Sequence, residues 1–336
     1  MPSARPSLSP GVTPRHSRIL GVGGYRPRRV VPNSEVIEAI DSSDEWIQER
    51  SGIKSRRWAS EDETIIAMSA AAARDAMAMA GITPDQLGTV LVATVTWMYN
   101  TPAAAPVLAA ELGATNAAAF DISAACAGYC HGIAIASDLV KGGTSDYVLV
   151  VGVERLSDFT DPTDRGTAFI FGDGAGAAIV GPSETPGIGP TVWGADGTRW
   201  DAIQQREPWT EVVSAGKEKP AIVMQGQAVF RWAVWSMAPV AQQAIDAAGI
   251  TIGDLDAFIP HQANMRIIDS MIKTLKLPEG IPVARDIAET ANTSAASIPL
   301  ATERMLREGQ APHGGLALQI GFGAGLSYAA QVVVLP

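Results

Sequence analysis

Hydrophobic positions along the chain follow two different periods. From Glu63 to Ala80 they fall at Ile65, Met68, Ala72, Ala76 and Met79, the spacing of one helix face. Short apolar runs stand between such stretches, at 90–93, 118–122 (interrupted by Asp121) and 147–151. Runs of that length with no polar face predict strands covered on both sides. A long helix is expected from near Cys126 to Lys141-Gly142-Gly143. Thr83-Pro84 reads as a helix cap followed by proline at the first helical position. The charge-free stretch from Leu316 to Pro336 is long enough to span a bilayer. It carries Gly321, Gly323, Gly325, Gln319 and Gln331, which suits two strands joined by a glycine turn better. Residues 1–17 are rich in Pro, Ser and Arg and are expected to form a flexible tail, with order beginning near Arg18. Strands alternating with helices predict an α/β fold with covered sheets.

An internal repeat sharpens this picture. Ala80-Gly81-Ile82-Thr83 with Leu87 recurs as Ala248-Gly249-Ile250-Thr251 with Leu255. The segment from Ala124-Ala125-Cys126 to Lys141-Gly142-Gly143 can be laid on Thr290-Ala291-Asn292 to Arg307-Glu308-Gly309. Gly172-Asp173-Gly174-Ala175-Gly176 resembles Gly321-Phe322-Gly323-Ala324-Gly325. The matches keep their order while the offset shrinks from 168 to 166 to 149, from 248 − 80, 292 − 126 and 321 − 172. That pattern fits one α/β unit used twice, with a longer insertion in the first copy. The expected division is 18–183 for the first half and 184–336 for the second.

Composition adds exclusions. Charged residues are 18% and hydrophobic residues 47% of the 336, so a large core can form and whole-chain disorder is excluded. The net charge of −10 disfavours general nucleic-acid binding, because phosphate contacts need dense Lys and Arg. Two cysteines, Cys126 and Cys130, exclude a disulfide scaffold. With no apolar leader and no membrane span expected, a cytoplasmic protein is the reading. No Cys/His spacing suggests a metal site.

The candidate chemistry follows from position. Cys126 opens a helix, where the dipole favours thiolate; an inert buried cysteine is the plain alternative. Cys130, one turn on, reads as packing. Of four histidines, His16 falls in the tail, His313 in a Pro-His-Gly-Gly turn, and His131 off the face of Cys126. His261 follows the apolar run Phe258-Ile259-Pro260, at a strand's carboxyl end, where α/β sheets place ligands. Asn292 is either a helix cap or an amide donor into a pocket. Gly172–Ala177 matches G-x-G-x-x-A after an expected strand at 168–171, but no helix follows, so dinucleotide binding is rejected. Both Gly-rich segments read as tight turns between strands. The second can offer backbone N–H groups to an oxyanion.

Cys, His and Asn in this order admit a papain-like hydrolase, and the Cys-to-His separation of 135 (261 − 126) suits it. The Cys-Gly-Ser-Cys-Trp neighbourhood of that family is missing, and the repeat does not belong there. The motifs point elsewhere. Asp41-Ser42-Ser43-Asp44-Glu45-Trp46-Ile47, Phe120 to Gly128, Asp164-Arg165-Gly166-Thr167, Phe171 to Ala177, Pro260-His261-Gln262-Ala263-Asn264, Asn292 to Ser297 and Gly323-Ala324-Gly325 together resemble the β-ketoacyl-acyl carrier protein synthase III family, its actinobacterial members most. The resemblance runs from about residue 18 to the C-terminus. Ala125 and Ala291 stand where many members carry Gly, and Trp97 and Tyr99 make the segment before Thr101 bulkier than the family pattern.

The resemblance implies a thiolase-like fold, two α/β halves in a layered αβαβα sandwich. It implies initiation of type II fatty acid synthesis by decarboxylative condensation of an acyl-CoA with malonyl-acyl carrier protein. The products are 3-oxoacyl-acyl carrier protein, CoA and CO2. Cys126 would carry the acyl group, and His261 and Asn292 would stabilise the enolate. The N–H groups of Cys126 and Ala324 would form the oxyanion hole. Trp46 and Arg165 would sandwich the CoA adenine. Gln262, Arg266, Arg231 and Lys273 would meet the carrier protein. Thr101 would line the acyl pocket of a neighbouring subunit in a homodimer. No cofactor is implied, since the CoA thioester is a substrate. Two alternatives remain open: an acyl-Cys enzyme of secondary metabolism, passing the group to a polyketide starter or a hydroxyl, and a non-catalytic paralogue.

Overall fold

A computed structural model describes residues 15–217 and 219–336; residues 1–14 of the expected tail lie outside them. Strand β1 begins at His16, two residues before the expected start of order. Ser17 is buried and bonds Ser137 Oγ at 2.9 Å, and Arg15 reaches the Asp146 carboxylate at 2.6 Å.

The first half contains β1 (His16–Tyr25), β2 (Arg29–Pro32), α1 (Asp44–Ser51), β3 (Ser55–Trp58), α2 (Ile65–Ala80), β4 (Leu87–Ala93), α3 (Ala104–Leu112), β5 (Ala118–Ile122), α4 (Gly128–Lys141), β6 (Tyr147–Glu154) and β7 (Gly174–Ser183). The second contains β8 (Val192–Gly194), β9 (Ile203–Gln205), α5 (Trp209–Ser214), β10 (Ile222–Met224), α6 (Gly226–Ala247), β11 (Ala257–Pro260), α7 (Met265–Leu275), α8 (Ile287–Thr290), α9 (Ser297–Arg307), β12 (Leu316–Phe322) and β13 (Tyr328–Val334).

Local chemistry sets several boundaries. Helix α2 starts after Thr64, whose Oγ1 accepts from Ala67 N at 3.1 Å. The Thr83 cap builds one 3-10 turn, Pro84–Gln86, closed by a capping box with Gln86. The strand expected at 168–171 is a series of turns ending in a single bridge at Phe171. Gly174, Ala175 and Gly176 lie inside β7, paired with β1 and β6, so this Gly-rich segment is strand and not turn. Its counterpart at 323–327 is a true turn between β12 and β13.

The five-stranded sheet runs β1-β7-β6-β4-β5 and the four-stranded sheet β11-β12-β13-β8. A lone parallel bridge, Phe258 to Val283, extends the second sheet beyond β11. Counted in chain order, both sheets then run third, second, fourth, fifth, first, with matching parallel and antiparallel neighbours. The α4 and α9 side chains Ile133, Val140, Ile298 and Met305 fill one core between the sheets. Outer helices α2 and α3 cover the first sheet, and α6 and α7 cover the second. The architecture is the five-layer αβαβα thiolase-like sandwich, with each fully buried aliphatic side chain contributing about 1.5–3 kcal/mol. Gly152 makes a close approach possible: a Cβ there would lie 2.2 Å from Ala295 O, so only glycine lets the segment before α9 rest on β6. That contact brings the carboxyl end of β6 beside the residues that follow Asn292.

Candidate active site

One cavity of about 470 Å³ opens at the carboxyl ends of the central strands, within the range of small-molecule sites. Cys126, His261 and Asn292 all line it, so groups separated by long stretches of sequence converge.

Cys126 sits within a 3-10 turn, Ala125–Ala127, that leads into α4. The first N–H groups of such a turn have no acceptor within it, which leaves the Cys126 N–H free for substrate. Ala125 is held at φ +45°. The apolar wall pushes the Cys126 thiol up to about 12, outweighing the opposing Ser294 hydroxyl, and the nearby Glu154 raises it further. Burial thus opposes the thiolate that the helix entry favours. Cys130 is wholly buried, and burial raises it too, to about 12.

His261 follows β11 directly, its N–H bonded to Ile320 O at 2.8 Å. Burial drives the imidazole down to about 3, so it is neutral at working pH. Its Nδ1 lies 2.7 Å from Ser297 Oγ, which also accepts from Gln262 N at 3.3 Å. In the tautomer in which the Ser297 hydroxyl donates to Nδ1, Nε2–H is left as the donor. The ring edge packs on Phe322 at 5.3 Å.

Asn292 is fixed on three sides. Its N–H donates to Ile170 O at 2.9 Å and its carbonyl accepts from Gly172 N at 3.0 Å. Its Oδ1 accepts from Ser294 N at 2.8 Å, which commits the oxygen and leaves the Nδ2 amide as a donor. The expected helix cap is not at Asn292: Thr293 holds the cap position of the turn, and the Asn292 oxygen bonds the backbone one residue further on, at Ser294. Gly323 completes the floor: a Cβ there would stand 2.7 Å from Cys126 Cβ and 2.9 Å from Sγ. The following 3-10 turn, Ala324–Leu326, starts with an N–H that has no acceptor within the turn.

Other expected residues are placed unequally. Trp46, Arg165, Arg231 and Arg266 line the mouth. Arg165 lies over the Trp46 ring at 5.0 Å, and Phe169 meets that ring edge-on at 5.4 Å. An adenine between Trp46 and Arg165 needs roughly 7 Å, two stacking distances, so Arg165 must swing out to admit one. Arg266 covers Phe230 at 5.0 Å. Lys273 is exposed in the last turn of α7, away from the cavity. Thr101 is exposed and outside this chain's cavity. Gln262 is a correction: it is fully buried, donating to Pro260 O at 2.7 Å and accepting from Ile287 N at 3.1 Å. It cannot meet a carrier protein and instead ties the His261 loop to α8. His131 is engaged elsewhere, with Ala127 O at 3.0 Å and stacked on Trp193, and His313 bonds Pro336 O.

Three site groups escaped the sequence reading. Ser294 and Ser297 lie inside a quoted motif but carried no role, and nothing local marks Glu154 at the end of β6. Glu154 is fully buried beside the site, and burial pushes its carboxyl up to about 7. Among the described residues no group of three or more His, Cys, Asp or Glu is placed to hold a metal ion, and no helix is long and apolar enough to cross a membrane.

Comparison with known proteins agrees with this geometry. Residues 245–335 match the family model for the 3-Oxoacyl-[acyl-carrier-protein (ACP)] synthase III C terminal, and residues 120–197 match the 3-Oxoacyl-[acyl-carrier-protein (ACP)] synthase III model. The Beta-ketoacyl-[acyl-carrier-protein] synthase III of Streptomyces glaucescens is 60% identical over 98% of this chain and 99% of its own. That of Kocuria rhizophila is 54% identical over 96% of this chain and 97% of its own. The crystal structure of the priming beta-ketosynthase from the R1128 polyketide biosynthetic pathway superposes with a TM-score of 0.95 at 52% identity, covering 98% of this chain and 99% of that one.

Proposed function

The chain belongs to the 3-oxoacyl-[acyl-carrier-protein] synthase III family, and we propose that Cys126, His261 and Asn292 are the groups that perform the condensation in it. The reaction joins an acyl-CoA primer to malonyl-acyl carrier protein, giving 3-oxoacyl-acyl carrier protein, CoA and CO2, the opening step of type II fatty acid synthesis. Cys126 sulfur attacks the thioester carbonyl and CoA leaves. The Cys126 and Ala324 N–H groups hold the oxyanion. Malonyl thioester then enters, and its carbonyl accepts from His261 Nε2–H and Asn292 Nδ2. Loss of CO2 gives an enolate held by those two donors. Its carbon attacks the acyl-Cys carbonyl and expels the Cys126 thiolate.

The observation that carries this reading is the convergence on one cavity of the cysteine, a buried imidazole and an amide whose oxygen is already bonded. A hydrolase needs histidine as a base for the thiol. Here burial removes basicity from His261 and leaves a donor. Incubation with radiolabelled acetyl-CoA should label Cys126, and malonyl-acyl carrier protein should discharge the label into 3-oxoacyl product. Discharge into free acid would instead mark a hydrolase.

Arg165 and Trp46 are proposed to clasp the CoA adenine after Arg165 swings away, and Arg231, Arg266 and Lys273 to receive the acidic carrier. A homodimer across strand β5 is also proposed. β5 is an edge strand, its Phe120 is 44% exposed, and Tyr99 in the Thr101 loop is 65% exposed. A cytoplasmic location accords with carrier-protein chemistry. The similarity to a polyketide priming ketosynthase supports a second reading, in which the same acyl-Cys starts a polyketide. Competition between acetyl-, isobutyryl- and longer acyl-CoAs separates the two.

A further inference from the structure

Burial raises the Cys126 thiol and lowers the His261 imidazole, which disfavours a direct proton transfer between them. A second buried group, joined to the site through Ser294, can take the proton. Glu154 ends β6 and is fully buried. Its carboxylate is surrounded by donors: Thr96 Oγ1 at 2.7 Å, Thr94 Oγ1 at 3.2 Å, Val95 N at 3.2 Å and Ser294 Oγ at 3.2 Å. Ser294 is itself buried, its hydroxyl donates to this carboxylate, and the same hydroxyl is near enough to the Cys126 thiol to lower it. Its backbone is held at φ +49°, a left-handed conformation that favours glycine over serine. The surroundings maintain that strain, and strained residues cluster where geometry serves function.

We propose that Ser294 and Glu154 form a proton relay for Cys126, with Ser294 as a catalytic residue on the sulfur and Glu154 as the store behind it. The step balances. As Cys126 Sγ attacks the acyl-CoA carbonyl, its proton passes to Ser294 Oγ while the Ser294 proton passes to Glu154 Oε1. The new S–C bond forms, the C–S bond to CoA breaks, and the CoA thiolate takes a proton from solvent. When the condensation expels Cys126 as thiolate, Glu154 returns the proton through Ser294. Over one turnover the relay is neutral, and the only proton consumed is the one that leaves on CoA. The Glu154 carboxyl titrates at about 7, which suits a group that must both accept and release a proton near neutrality.

The relay rests on the reading of Cys126 as the acylated residue. The test is the rate of acyl-enzyme formation from acetyl-CoA alone, followed by quench and intact mass, in Ser294→Ala and Glu154→Gln proteins across pH 5.5 to 8.5. The groups facing the carboxylate are Thr94, the Val95 N–H, Thr96 and Ser294, with Cys126 beyond; Arg155 is turned toward Asp158 at 3.2 Å, and His261 lies across the cavity. Acylation should fall tenfold or more in both variants. Wild-type acylation should rise through a break near pH 7 that Glu154→Gln loses and Glu154→Asp restores in part. Acylation within twofold of wild type in both variants, or an unmoved break in Glu154→Gln, would overturn the relay. If Glu154→Gln does not fold, Ser294→Ala and Ser294→Thr decide alone: slow in the first with recovery in the second supports the relay, and equal rates refute it. Absence of any label on Cys126 in the wild type would instead overturn the underlying reading.

Discussion

The two halves place the same device at the same height and load it differently. Each runs from its central strands into a helix between the sheets, α4 or α9, through a 3-10 turn. Each has an alanine at positive φ immediately before its functional residue, Ala125 at +45° before Cys126 and Ala291 at +55° before Asn292. In the first half the turn begins at once and carries the nucleophile. In the second, Asn292 is first pinned between Ile170 and Gly172, and the turn starts at Ser294. That delay converts a helix entry into a rigid amide. A second difference lies in the final hairpin. Residues 155–173 separate β6 from β7, whereas 323–327 suffice between β12 and β13. The long connection supplies Arg165, Phe169 and Phe171 to the cavity, and the short one supplies Gly323 against the sulfur. Under the proposed mechanism, a duplicated frame thus gives acyl capture to one arm and enolate stabilisation to the other.

The sharpest way to break that division is to remove one arm's group at a time. Cys126→Ala should abolish acyl-enzyme formation completely, as read by intact mass after incubation with acetyl-CoA. Gly323→Ala should come next. Its methyl would press on Cys126 Cβ and Sγ at 2.7 and 2.9 Å, and acylation should drop at least a hundredfold with the fold retained by circular dichroism. Asn292→Ala should leave acylation within a few-fold of wild type. Its decarboxylation of malonyl-carrier should fall by on the order of a hundredfold, the cost of one lost oxyanion donor. If Asn292→Ala instead lost acylation and kept decarboxylation, the assignment of arms would be reversed.

Much of this was legible in the sequence, and the reasons for the rest are physical. The repeat offsets located the two helix entries and the long insertion, because small residues at a tight turn leave a readable pattern. The triad was legible because histidines are few and only His261 follows an apolar run. Gln262 was misplaced because a polar residue beside a catalytic one reads as surface until its partners, Pro260 O and Ile287 N, are seen. The burial that opposes a thiolate at Cys126 is not legible, because helix position is sequence-visible and desolvation is not. Glu154 was invisible because its partners come from two distant segments of chain, 94–96 and Ser294. The Gly-rich run at 172–176 was taken for a turn since glycine permits both a turn and the close packing of β7 against its neighbours.

The same burial gives the arms an acid dependence. His261 is neutral in the fold, with its proton affinity lowered to about 3 from an ordinary value of 6.5. The unfolded chain therefore binds more protons than the native chain between these values. This group's contribution is intact above pH 6.5 and is lost as pH falls toward 3. Glu154 has the opposite sign, since a raised carboxyl favours the fold at low pH and loses that contribution as pH rises through about 7. Thermal melts of His261→Ala between pH 7 and 4 should show a shallower fall than wild type. A parallel fall would place the acid sensitivity elsewhere.

The smallest effect tests the strained alanines themselves. Left-handed backbone costs an alanine about 1–2 kcal/mol, and glycine would relieve it. Glycine also adds about 0.4–1 kcal/mol of unfolded-chain entropy to be lost on folding. At Ala125 the methyl is only partly buried, so the balance should favour Ala125→Gly by about 0.5 kcal/mol. At Ala291 the methyl is wholly buried, and deleting it forfeits roughly 0.8 kcal/mol of burial, which cancels the gain. Calorimetry should therefore show a rise of about 0.7 °C for Ala125→Gly and no measurable change for Ala291→Gly. Equal rises in both would mean that the buried Ala291 methyl contributes nothing. Falls in both would mean that the positive φ values are held without cost, and that the alanines are the better fit to this pair of turns.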